Sequence, residues 1–206
     1  MTGRGLIAAA ALLLALLAAG GAVSRAGYDR VPIDAGPEAV RRGRAVFMAN
    51  CVACHGLVYL WDREHTEGIR PLMDPATARE TFGVEPPDLS LMALARGKGT
   101  EGAEYIYRLL TSYYLTPAGE VRNRAFALWT ESEGAIAMPP PIPFNDPELE
   151  RKAADVAAFL LDTAAPEAPV RRRLGPFVLG YMLVMTALLF ILNRTTWHGV
   201  KKGLDL

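Results

Sequence analysis

Cysteine and histidine are scarce in this chain, with two of the first and three of the second among 206 residues. No second cysteine pair exists, so the usual four ligands of a structural zinc site are missing and no disulfide can form beyond that one pair. Net charge is lacking too, since Lys+Arg and Asp+Glu each number 22. The zero is an average over unlike parts. Residues 27–170 hold 14 basic against 21 acidic side chains, a net of −7, and the other 8 basic residues lie at the two ends, opposed only by Asp205. An acidic body with basic ends argues against nucleic-acid binding and for basic partners or membrane-flanking tails. No alternating strand pattern competes with the helical periodicity, and no internal repeat is present.

Long apolar runs number two. Near the N-terminus, Arg4 precedes an apolar stretch from Leu6 to Ala19 followed by small residues. This is the layout of a secretory signal peptide, assigned to residues 1–26, with cleavage near Ala22 or Ala26. Its 14 apolar residues fall short of the roughly 20 that a membrane span needs. Extended through Gly20 to Val23, the same run could instead be an uncleaved anchor. Residues 174–193, "LGPFVLGYMLVMTALLFILN", carry no charge over 20 positions and are bracketed by Arg171, Arg172, Arg173 and Arg194. This second run reads as a transmembrane helix, and residues 171–206 as an anchor with a short tail. The export signal places the body, residues 27–170, outside the cytoplasm and the tail inside.

Within the body, "PEAVRRGRAVFMAN" (37–50) sets Val40, Gly43, Val46 and Phe47 on one helical face and runs directly into Cys51. Residues 57–88 are Pro-punctuated and read as loop with one short helix. "DLSLMALARG" and "GAEYIYRLLTSYY" read as two helices, the second with Tyr105, Ile106, Leu109 and Leu110 at helical spacing. Residues 116–146 read as loop-rich. A start signal at Asn145 or Asp146 then opens "PELERKAADVAAFLLDTA", with Ala153, Val156, Ala157, Leu160 and Leu161 on one face. "APEAPV" reads as a stiff linker to the membrane.

Both cysteines lie in Cys51-Val52-Ala53-Cys54-His55, the covalent haem attachment signature. Cysteines three apart on a helical turn project side by side, and each can add to a haem vinyl group. The following histidine then aims its imidazole at the iron. A disulfide would not need His55, a thioredoxin-like pair would want a βαβ context, and zinc would want about four ligands. The opposite face of the iron has seven methionines and two further histidines to choose from. Met1, Met182 and Met185 fall in the signal or the span, and Met48 shares the cysteine helix. Met73 lies in a loop, and Met92 in a helix where it reads as a core residue. Met138 stands in "AIAMPPPIP", where three prolines fix φ and stiffen the loop. His65 reads as a solvated loop residue, and His198 lies beyond the span. A histidine and a thioether would raise the haem potential and leave no open iron position, which points to electron transfer rather than catalysis at iron.

The ordered series "CVACH", "EPPDLSLMALARG", "EYIYRLLTSYY", "IAMPPPIPF", "AADVAAFLLDTAAPE", a single span and "RTTWHGVKKG" resembles the cytochrome c1 family over roughly residues 37–202. These are the haem subunits of the quinol–cytochrome c reductase (cytochrome bc1) complex. The resemblance implies a mostly α fold, a class I cytochrome c-like haem domain with one C-terminal transmembrane helix. It implies one haem c held through two thioethers by Cys51 and Cys54, with His55 and Met138 as axial ligands. Arg96 would pair with a propionate, and Tyr105 with the Pro86–Pro87 turn would line the pocket. It further implies cytochrome b and the Rieske iron–sulfur protein as partners in a dimeric complex, and a cytochrome c acceptor. The setting would be a bacterial inner membrane, single-pass, with the haem domain in the periplasm, in contact with lipid and not with nucleic acid. The chain would not be catalytic alone. The alternative is a stand-alone membrane-anchored cytochrome donating to a terminal oxidase or nitrogen-oxide reductase. Two family segments are short here, the loop between His55 and Pro86 and the stretch "PFNDP" before the last soluble helix.

Overall fold

The computed structural model of the chain describes residues 31–60 and 68–204, with side chains described as far as His198. The expected signal peptide and His65 lie outside the described residues. Helix α1 (Pro37–Asn50) opens with Pro37 in its first turn, where a missing N–H costs nothing. A short α2 (Pro75–Phe82) is capped by Asp74, whose carboxylate accepts from Ala76 and Thr77 N–H, and ends on left-handed Gly83. Then come α3 (Met92–Ala95), α4 (Glu101–Thr111), strands β1 (Tyr113–Leu115) and β2 (Val121–Asn123), α5 (Arg124–Thr130), α6 (Leu149–Ala164) and α7 (Ala168–Leu204). Acidic Glu101 and Glu104 in the first turn of α4 and Arg108 in its last turn match its dipole.

The core is built where α1 crosses α6, with α4 packed on α6 beside it. Phe47 is fully buried and meets Phe159 with ring centroids 5.8 Å apart at 56°, the tilted arrangement aromatic pairs prefer. Ala153, Val156, Ala157 and Leu160 complete the α6 face as expected. One carboxylate is buried in this crossing. Asp155 accepts from Arg42 Nε at 2.9 Å and Nη2 at 2.7 Å, and from Arg151 Nη1 at 3.1 Å. The fork geometry of Arg42 satisfies both oxygens, which is what makes such a burial tolerable.

Several expectations need correction. Residues 116–146 are loop-rich as expected, but the expected absence of strands is corrected: β2 and α5 lie in this stretch, and β1 and β2 form an antiparallel hairpin pairing Tyr113 with Asn123, Tyr114 with Arg122 and Leu115 with Val121. Three-residue strands are too short for alternation to register in a sequence. Only Met92–Ala95 of "DLSLMALARG" is helical, and α4 ends at Thr111, so Tyr113 and Tyr114 are strand residues. The last soluble helix begins at Leu149, without a side-chain cap bond, while Asp146 accepts from the Glu148 N–H at 2.8 Å. Only the first half of "APEAPV", Ala165 to Glu167, is a linker: α7 already begins at Ala168 and carries Pro169 in its first turn. Residues 168–198 of α7 have a mean hydropathy of 2.1 over their most apolar window and are exposed, long enough and apolar enough to cross a membrane.

Candidate functional site

The end of α1 delivers the first functional groups. Cys51 closes the helix, and the chain then tightens into a turn in which the Cys54 and His55 N–H groups donate to the Cys51 carbonyl at 3.1 and 2.9 Å. A second segment braces this turn, with Leu72 N–H donating to Val52 O and Met73 N–H to Ala53 O, each at 3.0 Å. Both sulfurs and the imidazole therefore leave a fixed backbone.

His55 is oriented from across the site. Its Nδ1 lies 2.8 Å from the Pro87 carbonyl. A carbonyl only accepts, so Nδ1 carries the proton and Nε2 keeps a free lone pair. Pro87 is itself held. Leu89 N–H donates to Gly56 O at 2.9 Å, and the Asp88 carboxylate accepts from Val58 N–H at 2.8 Å and Ser90 N–H at 2.9 Å. Burial pulls the His55 imidazole below its ordinary value, against the opposing bond to Pro87 and the charge of Asp88. Burial thus favours the neutral ring, the form in which an imidazole binds a metal.

These groups face a cavity of about 440 Å³ whose wall is largely apolar. Cys51, Cys54, His55, Pro86, Pro87, Arg96, Tyr105 and Met138, the residues singled out above, all line it. Phe82, Val84, Leu89, Ile106, Leu109 and Leu110 supply much of the rest. Met138 arrives on the loop after α5, half-buried, with its carbonyl accepting from the Tyr113 hydroxyl at 3.0 Å. Met92 lines the same cavity while packing against the core cluster. It sits on the segment that carries Pro87, on the backbone that orients His55. Met48 is 44% exposed and Met73 is not among the lining residues. His198 lines only a smaller concavity of about 230 Å³ on α7, with Phe190, Asn193, Arg194 and Trp197.

At the rim, the Arg96 guanidinium stands 5.0 Å from the centroid of the Tyr105 ring, and Trp129 of α5 stacks on Tyr105 at 3.8 Å and 25°. This three-member stack fixes Arg96 as a cation beside the opening. Trp129 belongs to no motif, and Tyr113, within "EYIYRLLTSYY", reads only as a helix residue, because the partners of both lie far along the chain.

The donor set fits a covalently held haem. The cavity lies within the 300–1,000 Å³ common for cofactor sites. Burial, aided by Cys54, pushes the Cys51 thiol up to about 12, so the pocket disfavours thiolate and suits an uncharged thioether sulfur. An imidazole with a free Nε2 and a soft thioether are both known haem iron ligands.

A helical domain closed by its first and last soluble helices around such a cavity defines a c-type cytochrome. The family model described as Cytochrome C1 family matches residues 63–200, and the chain belongs to that family. Relatives extend the likeness over the haem-attachment stretch. A cytochrome c1 of Cereibacter sphaeroides is 28% identical, covering 96% of this chain and 97% of its own. An ammonia monooxygenase gamma subunit of Nitrosomonas europaea is 26% identical over 92% of this chain and 96% of its own. A cytochrome c1 of Blastochloris viridis reaches 34% over 59% of this chain and 52% of its own. The alignment to the Cereibacter protein runs over 278 positions against a chain of 206, so that relative carries segments this chain lacks. Family membership makes the chain an electron-transfer subunit that carries covalently bound haem c in a respiratory chain of the cytochrome bc1 type, with α7 as its membrane-anchoring helix.

Proposed function

We propose that the chain is the subunit that takes electrons from a Rieske iron–sulfur protein and gives them to a cytochrome c, in a dimeric complex with cytochrome b. In this reading Cys51 and Cys54 hold the haem by two thioethers, and His55 and Met138 are the iron ligands. Bound there, the haem supplies a one-electron carrier. The residues around it do the positioning. Pro87 O fixes the tautomer and tilt of His55, and the Pro139–Pro141 run stiffens the chain behind Met138. The apolar wall keeps water from the ligands and favours the state of lower charge. Arg96, held by Tyr105 and Trp129, supplies the cation for a propionate.

One observation carries this reading. His55 with its Nδ1 occupied and Met138 with its backbone anchored line one apolar cavity with both cysteines. Residues 27–170 form the periplasmic body, residues 1–26 an export signal, and residues 171–206 the anchor and cytoplasmic tail of a single-pass protein in a bacterial inner membrane. The net −7 of the body favours a basic acceptor, since opposite charge raises encounter rates. Met138→Leu tests the ligand assignment. Loss of the far-red sulfur-to-iron band with a fall in midpoint potential supports it, and an unchanged band and potential overturn it.

The likeness to an ammonia monooxygenase gamma subunit over nearly the full length favours a second reading, in which the same domain serves the electron chain of a monooxygenase. Purification in mild detergent separates the two. Co-migration with a cytochrome b and an iron–sulfur protein supports the reductase, and co-migration with oxygenase subunits supports the second reading.

A further inference from the structure

The loop that carries Met138 has no regular secondary structure from Gly134 to Met138. Pro139, Pro140 and Pro141 behind it have no N–H to donate, so no backbone donor on that side holds it. Both cysteines belong to the haem-attachment motif, so no disulfide is available to staple it. A thioether is a neutral, weak ligand, and its place at the cavity depends on how firmly its loop is held.

The hairpin supplies the hold. Tyr113 and Asn123 are cross-strand partners, 7% and 0% exposed. The Tyr113 hydroxyl donates to Met138 O at 3.0 Å. The Asn123 N–H donates to Gly134 O at 2.9 Å. One pair of facing residues thus grips both ends of the arc from Gly134 to Met138. Asn123 is in turn fixed by its side chain, donating to Leu109 O at the end of α4 at 2.7 Å and accepting from Phe126 N–H of α5 at 2.9 Å. Gly134 enters the grip at φ 81, and a Cβ there would stand 2.6 Å from Asn123 O. Only glycine fits this approach without strain.

We infer that Tyr113 and Asn123 are positioning residues for the iron ligand Met138, a clamp that does the work of a covalent staple. The inference rests on Met138 being that ligand, as proposed above. Neither residue is assigned to the iron itself; both act through the backbone of the Met138 loop.

The test uses the full-length haem-loaded protein in detergent. Imidazole is titrated against the ferric form of wild type, Tyr113→Phe and Met138→Leu, with the far-red sulfur-to-iron band as readout. Removing one buried hydroxyl bond is expected to let imidazole displace the thioether about fivefold more readily in Tyr113→Phe, with haem content unchanged. A merely structural loss would lower thermal stability and leave this competition as it was. Tyr113→Phe with wild-type imidazole affinity overturns the clamp while leaving Met138 as ligand. A wild-type band in Met138→Leu instead removes the ligand assignment and the clamp with it. If Tyr113→Phe fails to accumulate, Gly134→Ala strains the other end of the same arc and carries the test, with the same increase expected and wild-type affinity again overturning the clamp.

Discussion

Gly43 of α1 lies directly on the backbone of Asp155 in α6. A Cβ at Gly43 would overlap the Asp155 carbonyl and stand 2.8 Å from the Phe159 Cβ. The two helices therefore cross at a distance only a missing side chain permits, and the same contact brings Arg42 onto the Asp155 carboxylate. Because α1 runs into Cys51 and α6 contributes Val156 and Leu160 to the cavity wall, this crossing sets where the cysteines stand.

Gly43→Ala is expected to push the helices apart and destabilise the haem domain by about 2 kcal/mol or more, the ordinary cost of overpacking a tight core. Thermal unfolding followed by haem absorption measures it. A melting temperature equal to wild type would mean that the crossing is soft.

Arg96→Gln removes a fixed cation from the cavity rim. A positive charge there opposes the ferric state, so its loss is expected to lower the midpoint potential by tens of millivolts. Trp129→Leu leaves the charge but frees Tyr105 from its stacking partner. It is expected to move the potential much less while destabilising the domain by about 1 kcal/mol. Equal potential shifts in the two variants would contradict the division of roles.

Acid should loosen two local anchors. Asp74 is held below the usual carboxylate range by the Thr77 hydroxyl, then by the Thr77 and Ala76 N–H groups, and Asp146 by Lys152, then by the Glu148 N–H. A depressed carboxylate contributes stability that is full above its unfolded value, about 3.9, and is lost as pH falls through the lower folded value. The melting temperature should therefore drop as pH falls below about 4, and the Asp74→Asn, Asp146→Asn double variant should show a shallower acid limb. Superimposable limbs would exclude these carboxylates as the cause.

Electron transfer to a basic cytochrome c is expected to slow as ionic strength rises from low to physiological, because salt screens the attraction to the net −7 body. Stopped-flow rates at several salt concentrations check this. Rates independent of salt would place the docking surface away from the acidic side chains.

Much of the site was legible because its chemistry is local. Cys51, Cys54 and His55 occupy one turn, and Met138 stands before three prolines. The faces of α1 and α6 were legible from period alone, since Phe47 and Val156 recur with their neighbours at helical spacing. What was hidden is what acts at a distance. The bond from His55 to Pro87 spans 32 positions and that from Tyr113 to Met138 spans 25. No window along the chain brings such partners together. The hairpin was hidden for a different reason: its strands are three residues long, too short for the strand preference of Tyr113, Tyr114 and Val121 to form a pattern, and pairing with the Asn123 bonds to Leu109 and Phe126 holds them.

Between the end of α6 at Ala164 and the start of α7 at Ala168 lie only Ala165, Pro166 and Glu167. Fully stretched, three residues reach about 10 Å, and Pro166 shortens the choices further. A leash of that length allows little swinging or travel above the lipid surface. The soluble domain is thereby kept close above the lipid, within a short radius of where its anchor enters the membrane.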